Sequence, residues 1–189
     1  GEEDGGVAVA DLDLDGMGEI AVVTWDEVRL QDTDGSVLWR AAHDPLGAEG
    51  LTGTAPTIAD VDGDGWPEIL VTTRGSLVAY TVSGTRLWAA SIVDQSSASV
   101  GCTAFDFEGD GRLEIVIADQ TALRVLDGPT GAELWSDSRH RSNTLSEYAI
   151  VGDVDGDGHA EIAVGNNGGA LGLMVSPGLE ARFPAASTR

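Results

Sequence analysis

The sequence contains no lysine: all ten basic residues are arginines, set against 32 aspartates and glutamates, for a formal net charge of −22. So acidic a balance argues against nucleic-acid binding, which depends on basic residues neutralising phosphates. It argues equally against an anionic membrane surface. Aromatics are few, at 5% of residues, and cysteine occurs once, as Cys102. That single thiol excludes an internal disulfide framework and a cysteine-rich zinc site. No apolar run approaches the roughly 18–20 residues of a membrane-spanning helix, so no membrane insertion is expected. The opening Gly1-Glu2-Glu3-Asp4 has neither the basic nor the apolar segment of a secretion signal, and no initiator methionine. This favours a processed or excised piece. A sustained 3.6-residue apolar period is also missing, so no major helix is expected. What is present is a 42% hydrophobic share with five tryptophans, enough to build a core.

The acid is not spread evenly. Four segments repeat one pattern: Asp11-Leu-Asp13-Leu-Asp15-Gly16-Met17-Gly-Glu19, Asp60-Val-Asp62-Gly-Asp64-Gly65-Trp66-Pro-Glu68, Asp106-Phe-Glu108-Gly-Asp110-Gly111-Arg112-Leu-Glu114 and Asp153-Val-Asp155-Gly-Asp157-Gly158-His159-Ala-Glu161. Their first residues lie 49, 46 and 47 positions apart, and they hold 16 of the 32 carboxylates. Trp39, Trp88 and Trp135 keep the same beat, with Phe183 in the fourth place. Short β-branched runs flank each loop, such as Val7–Ala10 before the first and Ile20–Thr24 after it. Each unit then carries two more apolar runs around small turn residues: Asp34-Gly35, Ser83-Gly84, Asp127–Gly131 and Pro177-Gly178. Four strands every 40–50 residues predict an all-β fold of β-propeller blades. The expected units are blade 1 over 5–46, blade 2 over 47–95, blade 3 over 96–142 and blade 4 over 143–185. The tryptophan on each final strand fits packing between blades, with a ligand-stacking platform as the competing role.

Oxygen ligands at positions 1, 3 and 5 of a tight turn converge on one point, and the glycine at position 6 lets the backbone fold back. Hard cations of calcium's size accept six to eight such oxygens at about 2.3–2.6 Å. An EF-hand needs its bidentate Glu at position 12; those places hold Val22, Val71, Ile117 and Val164, so that motif fails. The shell expected here is carboxylates 1, 3, 5 and 9, the backbone carbonyl of residue 7, and water. The ligands are thus Asp11, Asp13, Asp15, Met17 and Glu19; Asp60, Asp62, Asp64, Trp66 and Glu68; Asp106, Glu108, Asp110, Arg112 and Glu114; Asp153, Asp155, Asp157, His159 and Glu161. Up to four Ca²⁺ are expected. Magnesium demands near-ideal octahedral geometry and keeps its waters, and transition metals prefer imidazole or thiolate. Solvated β-turns are the competing reading, but four like charges gathered in each of four loops repel without a counter-ion.

The loops, each followed by an apolar strand, resemble the FG-GAP/VCBS repeat family, which includes the β-propeller of integrin α-subunits. Ala163-Val164-Gly165 resembles the "VG" closing that family's outgoing strand, and Gly53-Thr54-Ala55-Pro56 loosely resembles its "GAP" element. The resemblance covers essentially the whole chain and implies calcium at the sixteen loop carboxylates. Leu14 replaces a glycine in the first loop and Glu108 an aspartate in the third, so those two sites depart from the pattern. Family propellers usually close with seven or eight blades. Three closures are open to four repeats: part of a longer propeller, pairing with a second copy, or a closed four-blade ring. The first two are favoured.

The resemblance implies an extracellular or cell-surface module that binds a protein or glycan, with calcium in a structural role. The alternative is the propeller of a polysaccharide lyase, for which His140-Arg141 is the first place to look for uronate chemistry. His43, His140 and His159 occupy different phases of the repeat, and structural or surface roles fit them best. The hairpin Leu126–Trp135 resembles the "TG…W" repeat of quinoprotein dehydrogenase propellers, a feature of architecture. Cys102, in the strand before the third loop, suits a small buried apolar role. Trp25 is a further residue able to stack on a sugar.

Overall fold

All four acidic loops are framed by antiparallel strands paired at equivalent positions. The computed structural model describes residues 5–24, 26–42, 54–95, 100–140, 148–154, 160–165 and 171–173. The first sheet consists of β1 (Gly6–Ala10), β2 (Glu19–Val23), β3 (Glu27–Gln31) and β4 (Val37–Ala42), paired in that order. The second repeats it with β5 (Thr57–Ala59), β6 (Glu68–Thr72), β7 (Ser76–Tyr80) and β8 (Arg86–Ser91). The third has β9 (Cys102–Phe105), β10 (Glu114–Ala118), β11 (Leu123–Asp127) and β12 (Glu133–Asp137). The fourth has β13 (Ile150–Gly152), β14 (Glu161–Gly165) and β15 (Leu171–Leu173) among the described residues. Its Phe183 lies outside them. Ala10 pairs with Glu19, Ala59 with Glu68, Phe105 with Glu114 and Gly152 with Glu161. The glutamate read from sequence as the last loop residue is therefore the first residue of the outgoing strand.

The fold is all-β, as expected, and no helix occurs among the described residues. Short β-branched strands dominate, and the two middle sheets pack against a neighbour on each side. β6, β7 and β10 are buried at every position, which requires continuous apolar runs instead of strict alternation. One apolar cluster, including Leu12, Val28 and Leu30 with Ile69, Val71 and Tyr80, joins the first sheet to the second. Two more join the second to the third and the third to the fourth. Contacts between first strands run in series: β1 with β5, β5 with β9 and β9 with β13.

The hairpin turns and the repeating tryptophans form one device. In the β3–β4 and β7–β8 turns the glycine is left-handed, Gly35 at φ 84° and Gly84 at φ 82°, closing a bulged hairpin. Trp39 of the first sheet lies across Gly84 and donates its Nε1–H to the Val82 carbonyl at 2.7 Å. Trp88 of the second lies across Gly131 and donates to the Gly128 carbonyl at 2.7 Å. A Cβ on Gly131 would sit 2.5 Å from the Trp88 ring. The tryptophans at these two positions thus pack between sheets. A second tie crosses from the third sheet: buried Asp119 accepts the Val93 N–H at 3.1 Å, and Gln120 N–H donates to the Val93 carbonyl.

Candidate metal centres

Each acidic loop connects the first two strands of its sheet, so the repeat places the loops at one end of successive sheets. In the first loop the Asp11 carboxylate accepts the Gly16 N–H at 2.9 Å through Oδ2. Asp13 Oδ1 accepts the Asp15 N–H, and Asp15 Oδ1 the Met17 N–H. In the second loop Asp60 accepts three amides, from Gly63 and Asp64 on Oδ1 and from Gly65 on Oδ2. The third loop copies that pattern on Asp106, with Gly109, Asp110 and Gly111. These amides hold Asp106 below the ordinary carboxylate range against a burial that raises it. The position-1 aspartate therefore folds the loop around itself before any ion is considered.

The position-9 glutamate was expected to be a plain ligand, and the structure gives it a second task. Glu19, Glu68, Glu114 and Glu161 are all buried. Each turns Oε2 onto the backbone N–H of residue 2: Leu12 at 2.7 Å, Val61 at 3.0 Å, Phe107 at 2.9 Å and Val154 at 2.9 Å. One oxygen closes the loop from below, leaving Oε1 for other work. Burial pushes Glu68 up to about 7, with the nearby Asp62, Asp64 and Asp60 charges adding and the Val61 N–H opposing. Glu114 is raised for the same reasons, burial first and then Glu108, Asp106 and Asp110.

Carboxylates converge in two loops. Ligand atoms of Asp11, Asp13 and Asp15 lie within 4.8 Å of one another, as do those of Asp60, Asp62 and Glu68. Two oxygens on one calcium at about 2.4 Å can stand at most about 4.8 Å apart, so both groups meet that limit. Asp11 Oδ1 is buried and has no hydrogen-bond partner among the described residues, as expected of an oxygen reserved for a cation. Glu19 and Asp64 fall outside these two groups. In the third loop, among the described residues, Asp106, Glu108, Asp110 and Glu114 form no such group. Glu108 and Asp110 project into solvent. Of the fourth set, Asp153 is exposed and Glu161 buried; Asp155, Asp157 and His159 lie outside the described residues. Met17, Trp66 and Arg112, expected to lend carbonyls, carry exposed side chains. Their amides donate to Asp15, Asp64 and Asp110 at 2.8, 2.8 and 2.9 Å. Leu14, where the next two loops have Gly63 and Gly109, holds the same left-handed backbone at φ 61°.

Two other singled-out residues, His140 and Cys102, are buried. His140 is fully buried, so its imidazole is not presented to a polymer; Arg141, His43 and Trp25 lie outside the described residues. Cys102 is buried and free, its thiol pushed up to about 11 by burial.

The FG-GAP-like repeat matches the chain three times in overlapping register, over residues 11–71, 60–117 and 106–164. No curated protein matches in sequence. Among solved structures, the Pseudomonas aeruginosa PilY1 C-terminal domain is similar at TM-score 0.59 and 15% identity, over 85% of this chain and 43% of that one. Rhamnogalacturonan lyase YesW is similar at TM-score 0.58 and 19% identity, over 94% and 43%. The V. cholerae biofilm matrix protein Bap1 is similar at TM-score 0.51 and 19% identity, over 86% and 31%. The first two are β-propellers. The chain thus spans between about a third and just under half of each, and the likeness is one of fold.

Proposed function

The chain belongs to the FG-GAP-like repeat family, and on that premise we propose that it is a calcium-clamped β-propeller module that binds a protein or glycan outside the cell. The observation that carries the reading is the convergence of Asp11, Asp13 and Asp15, and of Asp60, Asp62 and Glu68, within the span of one calcium shell. Calcium acts structurally in this reading. It neutralises carboxylates that the fold brings together, and it uses the oxygens that the loop's own amides leave over. The first two loops are the strongest sites, and the third is weaker because its carboxylates do not converge. Weak sites of about 10⁻⁴–10⁻³ M suffice where calcium is plentiful, which supports an extracellular setting. A lectin-like or adhesive role is supported by the loop-rich display of the repeat and by a likeness of fold to a biofilm matrix protein.

Melting in excess calcium and in EDTA tests the clamp. Each site filled at a hundredfold over its Kd adds about 2.7 kcal/mol to the native state. At roughly 2–4 °C per kcal/mol for a chain of this size, two filled sites raise the midpoint by about 11–22 °C. Equal midpoints in the two buffers overturn the proposal.

A further inference from the structure

Positions 7 and 8 are where the acidic loops differ most, with four different residues at each. Positions 1, 3, 5, 6 and 9 hold the loop together, while position 7 projects its side chain outward: Met17 is 55% exposed and Trp66 45% exposed. Met, Trp, Arg and His occupy it in turn, and among the described residues only the second loop presents an aromatic ring there. Trp66 is also unlike Trp39 and Trp88. Those two bury against the next sheet and spend Nε1–H on a carbonyl there; Trp66 Nε1 makes no hydrogen bond among the described residues.

A cavity of about 300 Å³ lies beside it, lined by Asp64, Trp66, Glu68, Thr81 and Val82. This is the lower end of the range for small-ligand sites, which combine apolar walls with a few placed polar groups. Two supports hold the walls. The Trp66 amide donates to Asp64 Oδ1 at 2.8 Å, and the Val82 carbonyl is held by the Trp39 indole of the first sheet. The indole and Val82 offer a flat apolar surface, Asp64 offers acceptors and Thr81 a hydroxyl. Flat rings with one C–H face and hydroxyls at the rim suit such a surface. Charge narrows the class further. Asp64, which lines the cavity and stands outside the converging Asp60, Asp62 and Glu68 group, in a chain of net charge −22, repels carboxylated or phosphorylated ligands.

We infer that this cavity binds a neutral pyranose, with the sugar face on Trp66 and its hydroxyls toward Asp64 and Thr81. The inference rests on the glycan half of the function proposed above and commits it to one site and one charge class. The test is titration of the full chain in calcium buffer with neutral gluco-, galacto-, manno- and rhamno-oligosaccharides and with oligogalacturonate, read by calorimetry and saturation-transfer NMR. At least one neutral sugar is expected to bind, with affinity at least tenfold weaker in Trp66→Ala and partly restored in Trp66→Phe. Far-UV spectra and melting midpoints should match wild type, because the ring is half exposed. Undiminished binding to Trp66→Ala overturns the site while leaving a glycan-binding module standing. Binding of none of the neutral sugars by wild type overturns the inference and the glycan half of the function together. Preference for oligogalacturonate overturns the charge argument.

Discussion

Replacing Trp88 by phenylalanine removes one hydrogen bond and part of one ring from the joint between the second and third sheets. The indole N–H now donates to the Gly128 carbonyl at 2.7 Å from a side chain only 8% exposed. Phenylalanine leaves that carbonyl buried without its donor, at a cost of about 1–3 kcal/mol. The smaller ring gives up roughly 40 Å² of apolar contact, about 1 kcal/mol at 25 cal/mol/Å². The sum, about 2–4 kcal/mol, corresponds to a midpoint drop of roughly 4–16 °C for a chain of this length. Calorimetric melting at fixed calcium measures it. Gly131→Ala sharpens the test, because its Cβ would meet the Trp88 ring at 2.5 Å. Its penalty should shrink markedly in a Trp88→Ala background, giving a coupling well above the roughly 0.3–0.5 kcal/mol of independent sites. A Trp88→Phe shift under about 2 °C, or additive penalties in the double variant, would refute the reasoning that these two residues lock the sheets.

Two more outcomes follow from single residues. Leu14 holds a left-handed backbone at φ 61° with its side chain mostly exposed, so Leu14→Gly relieves strain of about 1–2 kcal/mol at little loss of packing. Set against the greater chain entropy of glycine, about 0.5–1 kcal/mol, the net gain in urea unfolding is up to about 1.5 kcal/mol, and a loss of stability counts against it. Asp119 is held below the ordinary carboxylate range: burial raises it, but hydrogen bonds from Arg124 and Thr121 and the Arg124 charge outweigh that. A depressed acid stabilises above its unfolded value and loses that contribution as pH falls through its folded value. Asp119→Asn should therefore cost about 3–5 kcal/mol near neutrality, and the gap from wild type should close as pH drops below the ordinary aspartate value of 3.8; a gap constant with pH would show that the charge is irrelevant.

What the sequence disclosed is what it repeats. Four in-phase loops, the recurring hairpin turns and a tryptophan every 47 or so residues located the strands, three turn glycines and two joints among the described residues, because a pattern read several times averages out local ambiguity. The double task of Glu19, Glu68, Glu114 and Glu161 was not legible. A glutamate that caps an amide from below and one that only faces an ion look the same in one dimension. The Asp119 clamp was hidden for a different reason: its partner, the Val93 amide, lies 26 residues away in a connection with no repeating signal. Differences among the loops also stayed hidden. The third has the full complement of carboxylates, yet they do not converge as those of Asp11, Asp13 and Asp15 do, and side-chain direction is set by packing that composition does not record.

The tryptophan-on-glycine joint is vectorial. The first sheet gives an indole to the second, and the second gives one to the third, in the manner of a head-to-tail polymer whose monomer is a single repeat. Each link couples only adjacent units, so stability accumulates joint by joint along the array. Gly35 shares the left-handed turn of Gly84, and among the described residues no atom lies within 4 Å of where its Cβ would stand. How many blades close the ring is therefore written in no individual repeat. It follows from the number of units strung together and the angle each joint imposes.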